Sequence, residues 1–197
     1  RRHSSFGEIA AERTTRRGSS MNRSSKLTIA IAATAIAALG GTVAYAQDKY
    51  ALKSPGGIAF ADFKGYEDWQ NVAVSQTETS VKIIAANPAM IKAYRSGIPG
   101  NGKPFPEGSK IVKIEWTAKK SAESPYFVMV PDTLKSVSFI EKDSKRFPTT
   151  GGWGYAQFHY DGASDTFQPF GNDAACGHAC HTTVAAKDYI FTAYPKR

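Results

Sequence analysis

Two thiols and two imidazoles crowd into six residues near the C-terminus, Cys176-Gly177-His178-Ala179-Cys180-His181. They are the only cysteines of the chain and two of its four histidines. A Cys-x-x-Cys-His run attaches c-type haem: the thiols add to the haem vinyl groups and the histidine becomes the proximal iron ligand. Here the run is Cys-x-x-x-Cys-His, one residue longer. The Cys180-His181 junction is intact, so His181 keeps the place of the iron ligand. On a helix the extra residue turns the Cys176 thiol by about 100° and moves it about 1.5 Å. Gly177 could absorb that offset through its freer backbone. Two other readings use the same atoms. The thiols could pair as a Cys176–Cys180 disulfide if the segment bends. Cys176, His178, Cys180 and His181 could also surround zinc, although structural zinc sites draw on two separated knuckles and only one is present.

The other end of the chain sets the compartment. Met21 opens a secretory pattern: Arg23 and Lys26 are its positive region, Leu27 to Leu39 its apolar run, and Ala44-Tyr45-Ala46 its small-x-small cleavage site. The apolar run is short for a transmembrane helix. Residues 1–20 read as an upstream extension, with Arg16-Arg17 a weak twin-arginine signal. The expected location after cleavage near Ala46 is the periplasm or the exterior, where thiols are oxidised or loaded with haem. Residues 1–46 hold seven of the basic and two of the acidic residues, so the net charge of +8 falls to +3 over 47–197. That balance is not the footprint of a nucleic-acid binder. The remaining 151 residues suit one domain with one core.

Residues 47–56 are polar and read as loose, and the domain is expected over 57–197. Tyr66–Trp69 predicts a helical turn before a strand near Val72–Ser75, followed by a strand at Val81–Ala86. Asn87-Pro88 opens a helix as N-cap and first helical residue, Met90, Ile91 and Tyr94 fall at helical spacing, and Gly97 is the stop. Strands are then predicted at Lys110–Thr117, Tyr126–Val130, Val137–Glu141, Trp153–Tyr160 and Tyr189–Tyr194. Turn signals fall at Pro131-Asp132, Gly151-Gly152 and Asp161-Gly162. Asp173–Ala186 is the helix or turn that carries the cysteines. The class is α+β, mainly antiparallel sheet with a few short helices.

From about Gly65 to Pro195 the order of segments resembles the cytochrome P-460 family, which includes the sheet-rich cytochromes c′-beta. The resemblance rests on Tyr66-x-x-Trp69, Asn87-Pro88, Phe105-Pro106-Glu107-Gly108 before the Lys110–Trp116 strand, and Lys142–Phe147. It continues through Gly151-Gly152-Trp153-Gly154-Tyr155, Cys180-His181 and Asp188-Tyr189-Ile190-Phe191-Thr192. It implies a periplasmic c-type haem domain, a homodimer, with sheet walls around a covalently bound haem c. Cys176 and Cys180 would carry the thioethers and His181 the iron. In the P-460 enzymes, which oxidise hydroxylamine, a lysine on the strand after the Phe-x-x-Gly loop is cross-linked to the macrocycle, and Lys113 matches it. The cytochromes c′-beta lack that bond and bind nitric oxide or similar ligands. The expected partners are therefore a small nitrogen-containing ligand or substrate and a redox protein.

The distal side is less defined. Ile111, Lys113 and Glu115 share one face of their strand, and a solvated Lys113 paired with Glu115 is the plain alternative to a cross-link. Met90 and Met129 read as core filling, His178 as a neighbour of the motif, and His159 as an edge histidine on the face of Trp153, Tyr155 and Gln157. None stands out as a sixth ligand, which favours an open iron position. Glu115, Asp161 and Asp165 are the candidate proton-transfer carboxylates.

Overall fold

The computed structural model describes residues 47–171 and 174–197. The leader and extension predicted over 1–46 lie outside the described residues. Six strands form one antiparallel sheet in simple sequence order: β1 Gln70–Gln76, β2 Ser80–Ala86, β3 Lys110–Lys120, β4 Met129–Lys142, β5 Trp153–Asp161 and β6 Thr166–Phe170. Two α-helices, α1 Pro88–Arg95 and α2 Ala174–His181, join several short 3₁₀ turns. The α+β reading, dominated by sheet, stands.

Strand alternation splits the core between the two faces of the sheet. On β3, Val112 packs with Phe60, Phe63, Phe139 and Phe158 beneath the N-terminal segment. Its neighbour Ile111 points the other way, into a cluster with Met90, Tyr94, Trp153, Tyr155 and Ile190. Helix α1 closes that second face with Met90, Ile91, Ala93 and Tyr94, the i, i+3, i+4 stripe of a half-buried helix. Burial pushes the Tyr94 phenol up to about 12, although its hydroxyl meets Thr192 at 3.1 Å.

Asn87 caps α1 as its sequence predicts and also does more. Its Oδ1 accepts from the Met90 and Lys110 amides, both at 3.1 Å, and its Nδ2 donates to the Gly108 carbonyl at 2.8 Å. One side chain thus joins the start of α1 to the start of β3. Gly97, at φ 90°, ends the helix where a glycine was expected.

Several expectations need correction. The two strands predicted around Pro131-Asp132 are one strand, β4. Proline is tolerated there because β5 pairs with β4 only over Ser136–Lys142, so Pro131 has a strand neighbour on one side. The turn signal becomes a register shift instead, with the Thr133 amide donating to Thr117 Oγ1 at 2.9 Å. Strand β6 was not anticipated, since Pro169 interrupts its short run; as the outer strand it needs no donor on its free side. The strand predicted at Tyr189–Tyr194 is irregular chain. Asp188 and Tyr189 are left-handed, at φ 50° and 64°, and the segment docks through side chains, with Ile190 buried and Tyr194 stacked on Tyr94. Within residues 47–56, the Gln47 amide side chain brackets the Phe167 backbone with bonds of 2.6 and 2.9 Å. Among the described residues no helix is long and apolar enough to cross a membrane.

Replacing Asn87 with Ala removes the cap and the tie to β3 together, and should cost about 1–2 kcal/mol. Urea unfolding should show a lower midpoint at unchanged slope. A midpoint equal to that of the parent protein would mean that the helix–strand junction is held elsewhere.

Candidate functional site

Antiparallel register lines up the strands so that one face of the sheet carries three rows of side chains. The first is Ala86, Ile111, Ile140 and Tyr155; the second is Ile84, Lys113, Ser138, Gln157 and Phe170. The third is Lys82, Glu115, Ser136, His159 and Gln168. Polarity therefore rises stepwise along the strands. A cavity of about 520 Å³ lies over the first two rows. Its roof is α2 with the chain after it, contributing Cys176, Gly177, Cys180, His181, Ile190, Phe191 and Thr192. The volume is in the usual range for a bound small molecule or cofactor.

The roof approaches the sheet most closely at Gly177. A Cβ on Gly177 would lie 2.5 Å from Tyr155 Cβ and 2.6 Å from Cγ, atoms that cannot swing aside. Gly177 thus works by letting α2 approach β5, not by a special backbone angle; it sits within regular helix. Cys176 and Cys180 are both free, exposed thiols on the cavity. Four residues apart on a helix, they stand about 40° from one another around the axis and share one face. The longer spacing therefore does not turn Cys176 away. Among the described residues no group of three or more Cys, His, Asp or Glu is placed to hold a metal ion.

His181 packs between Tyr155 and Phe191, each ring centroid at 4.9 Å. Its Nδ1 lies 2.6 Å from the Tyr189 carbonyl. A carbonyl only accepts, so the hydrogen is on Nδ1 and the lone pair on Nε2. Burial holds this imidazole below its ordinary value; the Tyr189 bond opposes that, and the charges of Lys113 and His178 reinforce it. A neutral histidine with its second nitrogen anchored to a carbonyl has the form of a metal ligand.

Lys113 lines the cavity half-buried and makes no hydrogen bond or ion pair among the described residues. Desolvation lowers its pKa, Glu115 opposes the shift and Lys82 adds to it. Glu115 is not on the cavity. It lies on the polar third row, 3.1 Å from Lys135, beside Ser136 and His159 in a separate shallow depression. Burial works against its charge, yet the bond from Lys135 and the nearby lysines hold its carboxyl below the ordinary value. Asp161 accepts from Ala163 and Ser164 in the β5–β6 turn, and Asp165 takes the Tyr160 hydroxyl. No described residue lining the cavity is a carboxylate.

The remaining candidates are also placed. Met90 is fully buried in the core, as expected. Met129 is not: it is half-buried at the start of β4, opposite Lys120. His159 stacks on Phe170 at 4.0 Å and lines only the shallow depression. His178 turns inward against Tyr189, its Nδ1 buried without a hydrogen-bond partner among the described residues. Sequence reasoning missed Lys82 and Ser138 on the cavity wall; the alternation of Ser136, Ser138 and Ile140 on β4 was the available signal for Ser138.

The fold and cavity define a sheet-walled domain that brings two free thiols and an imidazole fixed through Nδ1 to one cavity, groups able to hold a haem. The chain belongs to the cytochrome P460 family, whose model matches residues 63–192. Membership implies a haem cofactor. No curated protein matches the chain.

Two outcomes follow from this geometry. Gly177→Ala should force α2 off β5, lowering stability by about 1–3 kcal/mol and reducing haem incorporation; an unchanged melting temperature would show that the helix docks loosely. In the haem-free protein, His181 takes up protons less readily when folded than when unfolded. Its contribution to stability is therefore complete above about pH 6.5 and is lost as pH falls through the folded value. A His181 proton-NMR titration with a midpoint above 6.5 would contradict the burial argument.

Proposed function

We propose that this chain is an exported c-type haem protein, periplasmic or secreted, acting as a homodimer on small nitrogen compounds of the hydroxylamine or nitric oxide class. The observation that carries the reading is the meeting of Cys176, Cys180, His181 and Lys113 on one cavity. The two thiols would hold the haem as thioethers, and His181 Nε2 would bind the iron. When bound, the haem supplies one-electron chemistry and an open coordination position for the small ligand. The protein's part is positional. Tyr155 and Phe191 clamp the imidazole, and the Tyr189 carbonyl fixes its tautomer. Ile84, Ile111 and Ile140 supply the apolar part of the wall.

Lys113 is the residue that would carry a bond to the macrocycle in a hydroxylamine-oxidising protein. Its desolvated, unpaired amine is the more nucleophilic form of a lysine. A second reading has its own support in the isoleucine wall of Ile84, Ile111 and Ile140, an apolar surface suited to a small diatomic ligand. That favours a cytochrome c′-beta-like protein that binds nitric oxide or carries electrons without turning over hydroxylamine.

The test is a ferrous absorption spectrum with intact mass under denaturing conditions, on protein matured with the periplasmic haem machinery. Wild type should carry one covalent haem, and Cys176→Ala should keep it through Cys180. Haem retained in Cys176→Ala/Cys180→Ala with a red-shifted Soret band, both lost on adding Lys113→Met, would identify the cross-linked enzyme. Haem lost in the double variant, with an ordinary five-coordinate spectrum in wild type, would identify the ligand binder. Wild-type protein that emerges without haem would sink both readings.

A further inference from the structure

Two consecutive non-glycine residues, Asp188 and Tyr189, stand in the left-handed region at φ 50° and 64°. Such a pair is costly and persists only where the surroundings impose it. What imposes it is a buried ion pair. Lys142 Nζ, on a side chain only 7% exposed, meets Asp188 Oδ1 at 2.8 Å and Oδ2 at 3.2 Å. The same ammonium donates to the Gly151 carbonyl at 3.0 Å and lies 4.9 Å over the Trp153 ring. Asp188 Oδ2 also accepts the Phe105 amide at 2.8 Å. The Tyr189 ring covers Gly151, where no Cβ would fit. The turn is thus tied to the end of β4, to the β4–β5 connection and to the loop before β3. Its product is the direction of one atom, the Tyr189 carbonyl oxygen that accepts from His181 Nδ1.

We propose that Lys142 and Asp188 are positioning residues for the haem iron: by locking the Asp188–Tyr189 turn they hold the Tyr189 carbonyl on His181 and so set the donor strength of its Nε2. This rests on His181 being the iron ligand. A hydrogen bond accepted from the far nitrogen makes a ligating imidazole more basic. A more basic ligand favours ferric over ferrous iron, so the intact turn lowers the reduction potential.

The experiment compares the haem reduction potential and the ferrous iron–histidine stretching band in holoprotein of four variants. Asp188→Asn keeps a residue tolerant of positive φ. Lys142→Met keeps the chain length. Lys142→Met/Asp188→Asn removes both charges and leaves the net charge unchanged, and Lys145→Met is an exposed-lysine control. Simple Coulomb effects would raise the potential in Asp188→Asn, lower it in Lys142→Met and cancel in the double variant. A lost positioning device raises it in all three, by on the order of tenfold in the ferric–ferrous equilibrium, about 59 mV for one electron, with the stretching band moved to lower frequency. An unshifted double variant, or a lowered potential in Lys142→Met, overturns the proposal. Should Lys142→Met fail to fold, the double variant, which leaves no unpaired charge, decides. His181→Ala separates the two ideas. An unchanged iron spectrum there removes the ligand assignment and this inference with it; a changed spectrum beside an unshifted double variant removes this inference alone.

Discussion

The register of a single antiparallel sheet is the constraint on which everything else hangs. Because side chains alternate with a period of two, a slip of one residue between β3 and β4 would turn β3 over relative to β4 and send its side chains to the opposite faces. Lys113 and Ile111 would then leave the cavity for the aromatic core, and Val112 would leave that core for the cavity. Core and cavity thus enforce each other: the register that buries Val112 against Phe139 and Phe63 also puts Lys113 under α2. Burying the wrong set would strand a lysine among rings and expose several large apolar groups, a cost no loop contact could offset.

On that floor the roof is held by few contacts of unlike kind. Steric closeness at Gly177 sets the height of α2 above β5, aromatic packing orients His181, and a buried ion pair directs a single carbonyl. Buried ion pairs are weak devices for stability, because desolvation offsets much of their attraction. Their value lies in specifying one geometry. The pair beside Trp153 has that character, with every donor direction of Lys142 used.

Much of this was readable from the residues, and the boundary of legibility is physical. Local chemistry was legible: Asn87-Pro88 and Gly97 bound α1 because caps act within a turn, and Cys176, Cys180 and His181 lie within six residues. The strand around Lys113 was legible from its β-branched run. What failed depended on neighbours far away in sequence. Pro131 reads as a break unless β5 is known to end short of it, and Tyr189–Tyr194 reads as a strand unless the left-handed turn before it is known. The carbonyl of Tyr189 leaves no trace in sequence at all, since every residue has one. Its role comes from Lys142, forty-six residues from Asp188. Glu115 was assigned to the face of Lys113 correctly, yet one row further along the strand separates a cavity wall from a solvated ion pair.

The strands pair strictly with their neighbours in sequence, from β1 to β6, and the thiols come only after the last of them. A ribosome delivers a chain from its amino end. Every residue of the floor has therefore been made before either cysteine exists, and each strand meets its partner by a short search rather than a long one. The helix that bears the thiols is a late arrival onto a surface whose parts are already in hand. In the order of the residues the floor precedes the clasp, so every strand pairing is complete in the chain before the thiols are reached.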